Sequence, residues 1–435
     1  MIRFFHTADI HLGVENYGKI DAKTGIHSRL LDFKDSLKTI VDKAIEQNID
    51  FFLFCGDAYK TAFPTPTQQK IFITELLRLQ VAGIPIISIV GNHDNPLSFG
   101  KSNSLEVLDY LPLDGLHVIA KPEILKLDTK NGPIQILGIP WPTRNNLISD
   151  KEFHLKSSKE ITEYLSQAVY NIILELSKKI DKNIPAILAG HLTVSTGIFS
   201  GSEKCAVFGN DPIFLPSQLA LNCFDYVALG HLHRFQNLNS HGYPAVIYPG
   251  SIERIDFGER KEDKGFCSVL IDDKNINNKC SFEFIKLKTR PMVQIEIILK
   301  EGLDFTQQIL DEINRHEISG AIVKIVYYVP DGKKDDVSLQ EIQQACVSAI
   351  SLAAIIPVRK NVVREFRASL NVDMNLEVLL EKYLETKGIE KTQKDNLIKK
   401  AGDLYQEIAL LQNSGLEDTQ KVNLLDKSEL KEFNL

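Results

Sequence analysis

Five short motifs constrain this chain more than any other feature of its sequence. Each directly follows an apolar run, and each carries carboxylate, amide or imidazole side chains that divalent metals accept as ligands. Polar residues at several strand ends would converge on one edge of a sheet, where open α/β folds place their chemistry. The motifs are Asp9-Ile10-His11, Gly56-Asp57, Gly91-Asn92-His93-Asp94, Gly190-His191 and Gly230-His231-Leu232-His233.

The region from Ile2 to about Arg290 alternates apolar runs with amphipathic stretches. Apolar residues recur at helical spacing over Ser28–Asn48, Thr67–Val81 and Glu160–Ile180. Strands that alternate with helices predict a layered α/β sandwich. The predicted strands are Arg3–Thr7, Phe51–Cys55, Ile86–Val90, Ile134–Gly138, Ala186–Ala189, Tyr226–Leu229, Ala245–Tyr248 and Cys267–Asp272.

The pattern changes at Arg290-Pro291, which suggests three domains with boundaries at 1–290, 291–366 and 367–435. The second segment reads as strand, helix, strand, helix, strand, contains none of the motifs and predicts a small α+β cap domain. The third is rich in Leu, Lys and Glu, with helical patterns over Asn375–Lys387 and Lys391–Leu411. Such a helical pair either packs on a partner or folds back locally.

Bulk composition indicates a soluble globular protein of 435 residues, 43% of them hydrophobic and 25% charged. The six Cys are scattered without paired spacing, which favours reduced thiols. There is no apolar segment of spanning length and no leader-like start, so we expect a cytoplasmic protein.

The net charge of −7 is unusual for a protein that grips nucleic acid alone, because phosphate contacts dominate such binding. Three explanations stay open. The substrate is small, the basic grip is local, or a partner supplies it.

The spacing within the motifs favours metal binding. In Asp9-x-His11 and His231-x-His233, two residues of an extended chain point to the same face and can reach one ion. Mixed Asp, His and Asn ligation suits Mn²⁺, Fe²⁺ or Zn²⁺. Two ions roughly 3.5–4 Å apart would clamp a phosphate and activate a water. His93, next to Asn92, suits proton transfer to the leaving oxygen, and Asp94 would orient it.

The opening Phe5-His6-Thr7-Ala8-Asp9-Ile10-His11-Leu12-Gly13 and the block from Tyr248-Pro249-Gly250-Ser251 to Phe257-Gly258-Glu259 resemble the calcineurin-like metallophosphoesterases, in particular their double-strand-break repair nuclease branch. The resemblance covers Met1 to about Arg290 and continues more weakly beyond. It implies a four-layer α/β/β/α sandwich with a small α+β cap domain and C-terminal helices. One departure is the segment Gly56-Asp57-Ala58-Tyr59-Lys60, where many relatives carry a further Asp after the Gly-Asp pair.

The resemblance also implies roles for individual residues. Asp9, His11 and His233 would bind the first metal, and Asn92, His191 and His231 the second. Asp57 would bridge the two, and His93 would assist the leaving group without binding metal. The metals are expected to be two divalent ions, most often Mn²⁺, with Fe²⁺, Zn²⁺ or Mg²⁺ as alternatives.

Partners follow from the resemblance as well. The cap would help to select DNA, the C-terminal helices would dock onto an SbcC-like coiled-coil ABC ATPase, and the protein would form a homodimer. Such an ATPase could supply much of the DNA contact. Six basic residues are candidates for local DNA contacts, with a solvated or structural role as the alternative for each: Arg29, Lys60, Arg144, Arg234, Arg254 and Arg260.

Three hypotheses about function remain at this point. The first is a metal-dependent DNA exonuclease and endonuclease subunit that works with the ATPase in DNA repair and recombination. The second is a stand-alone phosphodiesterase acting on nucleotides or other small phosphoesters. The third is a scaffold with a vestigial metal site, which the complete ligand set argues against. The cap, the helical tail and the Tyr248–Glu259 block favour the first.

Overall fold

Two six-stranded sheets form the centre of the fold, as seen in a computed structural model. It describes residues 1–96, 101–110, 114–143, 158–201, 211–272, 279–359, 380, 384, 393–402 and 404. The strands are β1 (Ile2–Thr7), β2 (Phe51–Phe54), β3 (Ile86–Ile89), β4 (Leu116–Ile119), β5 (Glu123–Thr129), β6 (Gly132–Ile139), β7 (Ala186–His191), β8 (Thr193–Val194), β9 (Ile213–Phe214), β10 (Tyr226–Gly230), β11 (Gln236–Asn237), β12 (Ala245–Tyr248), β13 (Gly265–Ile271), β14 (Cys280–Lys286), β15 (Met292–Ile298), β16 (Ile322–Val329) and β17 (Ser351–Arg359). The helices are α1 (Ser28–Glu46), α2 (Pro66–Val81), α3 (Ser158–Ser177), α4 (Pro216–Leu219), α5 (Phe305–Ile313) and α6 (Leu339–Ala345).

The central strands of both sheets run parallel. The first sheet has the order β14-β13-β1-β2-β3-β4, in which β1 to β4 are parallel neighbours. The second has the order β11-β12-β10-β7-β6-β5, in which β12, β10, β7 and β6 are parallel neighbours. Parallel neighbours bring their carboxyl ends together, so each sheet has an edge at which several strands end.

Apolar side chains hold the four layers of the structure together. Side chains such as Phe4, Phe51 and Ile187 pack between the two sheets. Phe33 and Leu37 of α1 belong to a core on the outer face of the first sheet. Val169 and Ile173 of α3 pack against the second sheet. The predicted α/β/β/α sandwich is therefore confirmed.

Helices α1 and α2 begin and end close to their predicted bounds. In α1 the buried residues Phe33, Leu37 and Ile40 follow the helical period that predicted it. Thr65 caps α2 in a capping box with Gln68, and Pro66 occupies the first turn, where its missing N–H costs nothing.

Strands β4, β5 and β14 are absent from the sequence prediction. All three lie at or next to the edge of a sheet and show alternating or mixed burial, unlike the uniformly buried β2 and β3. The prediction relied on continuous apolar runs. Half-exposed edge strands do not produce such runs, since one face meets solvent.

The predicted order of elements after Met292 agrees with β15, α5, β16, α6 and β17, and the three strands form a separate sheet. Phe257 packs with Met292 and Ile322 of this sheet. One compact unit comprises Met1–Tyr328 and Lys334–Val358. The boundary between the first two predicted domains stays a prediction.

A second compact unit comprises Val329–Lys333 and Arg359–Leu435. Residues 393–402 are helical, inside the second predicted C-terminal helix. The rest of both predicted helices lies almost wholly outside the described residues. Among the helices of the described residues, none has the length and apolar character needed to span a bilayer.

Candidate metal centre

The five motifs meet at the carboxyl ends of strands from both sheets. Asp9 and His11 follow β1, and Asp57 follows β2. Asn92 and His93 come after β3. His191 ends β7, and His231 and His233 follow β10. The fold thus brings together all seven residues that the sequence proposed as ligands.

Asp9, His11 and His233 form one group of donors. Each offers a ligand atom, and the three atoms lie within 4.8 Å of one another. Nε2 of His11 is 3.0 Å from Nε2 of His233. Two imidazole nitrogens this close can share a single proton or a single cation. All three residues are buried, so water competes weakly for whatever binds there.

Asn92, His191 and His231 form a second group. Oδ1 of Asn92 lies 2.8 Å from Nε2 of His191 and 3.1 Å from Nδ1 of His231. Asp57 stands between the two groups, since its Oδ2 lies 3.6 Å from Nε2 of His11 and 3.4 Å from Nε2 of His191.

The tautomer of His191 fits metal binding. Its Nδ1 lies 2.7 Å from the Cys55 carbonyl oxygen, which can only accept, so Nδ1 carries the proton. In the neutral ring Nε2 then presents a lone pair toward the oxygens of Asn92 and Asp57. Lone pairs that face one another repel unless a proton or a cation lies between them. Nitrogen and oxygen donors in this combination suit Mn²⁺, Fe²⁺ or Zn²⁺.

Backbone conformation marks the same residues. Asp9, His11, Asp57 and His231 have φ values of +53°, +49°, +63° and +105°, in or near the left-handed region that non-glycine residues rarely adopt. Only two other non-glycine residues of the described chain do so, Tyr17 and Asn48. Strained backbone persists where the surroundings over-determine it, typically at functional sites.

Hydrogen bonds between the motif loops hold these conformations. The backbone N–H groups of Asp9 and His11 donate to the carbonyl oxygens of Gly56 and Asp57, both at 3.0 Å. The N–H of His231 donates to both carboxylate oxygens of Asp9, at 3.0 and 3.1 Å. The loops therefore position one another without a ligand.

Asp94 joins the motif loops through several buried hydrogen bonds. It is fully buried and accepts backbone N–H groups from Asp57, Ala58 and Gly91 at 2.8–3.1 Å, and the hydroxyl of Ser104 at 3.3 Å. The expectation that Asp94 orients His93 is therefore corrected, because its oxygens are directed to these donors. Its contacts instead fix the loop that carries Asp57.

His93 has other partners. Its backbone N–H donates to Oδ1 of Asp57 at 2.8 Å, and its Nδ1 donates to the carbonyl oxygen of Lys60 at 2.8 Å. The ring lies 4.9 Å from that of His11, centroid to centroid, and is exposed to solvent. Nε2 is then the nitrogen that can exchange a proton with a bound substrate. A ring nitrogen of His93 also lies within 4.8 Å of ligand atoms of His11 and Asp57, so these three residues could hold one metal ion.

Burial and charge tune the acids and bases of the centre. Burial raises the pKa of Asp9 and lowers that of His11, because a charged group loses its hydration. Burial also opposes ionisation of Asp57, but His191 and His93 beside it hold its pKa well below the ordinary value. Asp57 therefore keeps a negative charge between the two groups of donors.

Two carboxylates behind the histidines were not predicted. Oε1 of Glu259 lies 2.9 Å from Nδ1 of His233. Oδ2 of Asp211 lies 3.3 Å from Nε2 of His231, without good hydrogen-bond alignment. The sequence signal for Glu259 was its place in the Phe257-Gly258-Glu259 block, to which no chemical role had been given.

The structure excludes two of the six predicted DNA contacts. Arg29 is fully buried and bound to Asp32 and the Arg254 carbonyl, so it cannot reach DNA. The guanidinium of Arg254 is taken up by Thr289 and by the carbonyls of Arg290 and Glu262. Both are corrections, and both side chains are structural.

Four candidates for DNA contact remain. Lys60 and Arg234 are exposed, and Arg260 is half-buried with one hydrogen bond, to the Phe257 carbonyl. Arg144 lies outside the described residues. Trp141, half-buried, stands against the second donor group, with its ring 4.8 Å from that of His231.

The calcineurin-like phosphoesterase family model matches residues 2–235 of this chain. These residues include every motif and all seven candidate ligands. The match fits the sandwich described above and the cluster of donors at the strand ends. The chemistry that such a centre supports is hydrolysis of phosphoester bonds.

Curated relatives include two proteins named as the SbcD component of the nuclease SbcCD. The one from Staphylococcus saprophyticus is 29% identical over 341 residues, which cover 76% of this chain and 80% of the relative. The one from Staphylococcus epidermidis is 28% identical over 320 residues, which cover 72% and 77%. The match to a crystal structure of a dimetal phosphatase from Danio rerio covers 62% of this chain and 93% of that protein, with 11% identity and a TM-score of 0.37.

Proposed function

Because this chain belongs to the calcineurin-like phosphoesterase family, we propose that it is the metal-dependent nuclease subunit of an SbcCD-like complex. It would hydrolyse phosphodiester bonds of DNA, as a double-strand exonuclease and a single-strand endonuclease, in repair and recombination. One observation carries the proposal: Oδ2 of Asp57 lies 3.6 Å from Nε2 of His11 and 3.4 Å from Nε2 of His191, one histidine of each donor group, in a chain similar to SbcCD nuclease components over three quarters of its length.

The ligand assignment is part of this proposal. Asp9, His11 and His233 would hold one divalent ion, Asn92, His191 and His231 the other, and Asp57 would contact both. Mn²⁺ is the ion we propose. Bound ions of this kind acidify water and stabilise the charge that develops on a phosphate.

The protein's own residues would complete the reaction. His93 keeps its Nδ1 proton on the Lys60 carbonyl, so a second proton on Nε2 is the one it can give to the leaving oxygen. Its backbone N–H on Asp57 ties the position of the acid to that of the shared ligand. Lys60 and Arg234 would contact the DNA backbone.

We propose further that the C-terminal helices dock onto an SbcC-like ATPase and that the protein forms a homodimer in the cytoplasm. The name of the relatives supports an SbcC-like partner. The described cysteines are free thiols, which fits a reducing compartment. Light scattering of the purified protein would report its oligomeric state.

A second candidate function is a stand-alone phosphodiesterase for nucleotides or other small phosphoesters. The burial of Arg29 and the internal hydrogen bonds of the Arg254 guanidinium favour it, since these side chains add nothing to a DNA surface on a chain with a net charge of −7. The two candidate functions differ in whether an SbcC-like partner is needed. That partner would have to supply the basic contacts that Arg29 and Arg254 do not make.

The deciding experiment compares two substrates with Mn²⁺ present, with and without an SbcC-like partner. Linear double-stranded DNA tests the nuclease, and bis-p-nitrophenyl phosphate tests the metal centre alone. We expect cleavage of both, with DNA cleavage strengthened by the partner and ATP. Hydrolysis of the small ester with intact DNA in every arm would leave the second candidate.

A further inference from the structure

Behind His233 lies a buried ion pair that the reaction does not use directly. Glu259 and Lys264 are 0% and 1% exposed, and Oε2 of Glu259 lies 2.8 Å from Nζ of Lys264. Oε1 of the same carboxylate lies 2.9 Å from Nδ1 of His233. The Lys264 ammonium also donates to the carbonyl oxygen of His233 at 2.8 Å. The pair therefore contacts both the ring and the backbone of one candidate ligand.

The orientation of this carboxylate is fixed from both sides. Oε2 accepts the backbone N–H of Ile255 at 3.0 Å in addition to Lys264. The three protons of the ammonium have three acceptors, which are Glu259, the His233 carbonyl and Glu262 at 3.2 Å. Neither charged group can turn without losing a buried hydrogen bond, and an unpaired buried charge is costly.

Glu259 remains ionised in this position. Its Oε2 accepts from the Lys264 ammonium at 2.8 Å and from the Ile255 N–H at 3.0 Å, and both contacts favour the charged carboxylate. An ionised carboxylate only accepts hydrogen bonds, so Nδ1 of His233 carries the ring proton. Nε2, which faces His11, is then the nitrogen with the lone pair.

The neighbouring histidine of the same motif presents its other ring nitrogen, so the motif alone does not determine which nitrogen faces the centre. His231 turns its Nδ1 toward Asn92, whereas His233 turns its Nε2 toward His11. The His-x-His spacing puts both rings on one side of the chain without deciding which nitrogen each presents. The contact behind the ring decides it for His233.

We propose that Glu259, held in place by Lys264, is a positioning residue that fixes the tautomer of His233 and presents its Nε2 to a divalent metal. This deepens the proposed function and rests on the same metal centre. Outer partners of this kind orient metal-binding histidines, and their loss typically weakens metal binding by about 10- to 100-fold.

The variant Glu259→Gln gives a specific test. Oε1 of a glutamine can face either His233 or the pair formed by the Ile255 N–H and Lys264. The second choice satisfies two donors instead of one. The amide NH₂ then faces Nδ1 of His233 and donates to it, which moves the ring proton to Nε2. We therefore expect the tautomer of His233 to invert.

The tautomer is measured on full-length, metal-free protein by two-bond ¹H–¹⁵N correlation with ¹⁵N-labelled histidine. The His233 signals are identified by their absence from His233→Gln. Titration with Mn²⁺, with free ion followed by electron paramagnetic resonance, measures the affinities of the sites. In Glu259→Gln we expect the inverted tautomer and one site weakened about 10- to 100-fold, with the other unchanged. Unchanged tautomer and affinities in the folded variant overturn the proposal.

Glu253→Gln is the matched control. Glu253 is equally buried in the same segment, but its hydrogen-bond partners are the backbone N–H groups of Arg254 and Arg290. It should leave the tautomer and both affinities as they are. If it changes them as much as Glu259→Gln does, the effect is a general one of the segment and the proposal fails.

Glu259→Asp covers the case in which the glutamine variant does not fold. It keeps the charge beside Lys264 but withdraws the carboxylate from His233 by one carbon–carbon bond. We expect a mixture of tautomers and one weakened site, and unaltered values contradict the proposal. The tautomer is read without DNA or metal, so this result and the nuclease assay can fail independently.

Discussion

Close contacts around Gly230 explain why one motif glycine admits no side chain. A Cβ atom there would lie 1.9 Å from the Cys55 carbonyl oxygen, which accepts the hydrogen bond from Nδ1 of His191. We expect Gly230→Ala to lower the free energy of unfolding by about 1–3 kcal/mol, as overpacking does. It should also weaken Mn²⁺ binding, because the carbonyl that holds His191 is displaced.

Gly332→Ala provides the control for this prediction. Gly332 has a φ of +73° and open space around its Cβ position, so alanine costs only backbone strain of about 1–2 kcal/mol there. Denaturant unfolding and Mn²⁺ titration of both variants check the contrast. Equal Mn²⁺ affinities would show that the contact at Gly230 does not support the metal centre.

His93 offers a test of the division between ligands and acid. We expect His93→Gln to lower turnover of the small ester by about 10²- to 10⁴-fold, the range of general acid catalysis, while two metals stay bound. Stopped assays with elemental analysis of the same samples measure both quantities. Loss of one metal in the variant would instead make His93 a ligand, which its distance from His11 and Asp57 allows.

The sequence allowed the candidate ligands to be predicted, but not the groups that form hydrogen bonds to them. Each motif is local, so Asp9 and His11 could be recognised from their spacing and the strand before them. Glu259 is 26 residues from His233, and its contact exists only after β13 and the preceding turn have packed. Cys55 acts through its backbone carbonyl, which any residue type would supply. Tertiary contacts of these kinds leave no pattern in one sequence.

Among the elements, helix α1 carries a charged residue that joins distant parts of the chain. Asp32 accepts hydrogen bonds from Arg29 at 2.7 Å and from Nε of Arg290 at 2.6 Å, and Arg290 also donates to the carbonyl of Gly320. Arg29 is fully buried. We expect Asp32→Asn to cost about 3–5 kcal/mol of unfolding free energy, because it removes the carboxylate that pairs closely with the buried Arg29 and leaves only that of Glu253, at 3.9 Å.

Asp42→Asn is the matched control on the same helix. Asp42 pairs with Lys38 and Arg78, but its side chain is 42% exposed. Exposed pairs contribute about 0–1 kcal/mol, so this variant should unfold close to the wild-type midpoint. Chemical denaturation of the two variants measures the difference. A similar loss in both would mean that Asp32 acts as an ordinary surface charge.

Elements were predictable where burial is uniform. Strands β2 and β3 are buried along their whole length and appear as apolar runs, and α1 shows its helical period. In contrast, β5 lies at the edge of the second sheet, next to β6, and is exposed or half-buried except at Leu127. Its pairing is with the strand that follows it after a short turn. Recognition of that hairpin would have required the turn signal, since β5 has no continuous apolar run.

At the scale of the whole molecule, metal binding should couple to stability. A ligand that binds only the folded state at about 100 times its dissociation constant adds about 2.7 kcal/mol per site. We expect the midpoint of thermal unfolding to rise when Mn²⁺ is added to chelator-treated protein. Asp57→Asn suits as a control, because asparagine tolerates the positive φ of this position and lacks the charge. An equal rise in that variant would contradict a shared role for Asp57.

The C-terminal segment gives a prediction about assembly. Deletion of residues 371–435 should abolish association with an SbcC-like ATPase and leave hydrolysis of the small ester unchanged, since every candidate ligand precedes it. Size-exclusion chromatography of mixtures measures association. Persistent complex formation by the truncated protein would place the docking surface elsewhere in the chain.

The hydrogen bonds between the motif loops have a consequence for how the enzyme is made. Asp9, Asp57 and His231 are held in their unusual backbone conformations by contacts within the protein. The fold itself therefore positions the donors of the ligand shell. Metal identity would then be set by whichever ions the cell keeps available after folding, and exchange of one ion for another would proceed without unfolding.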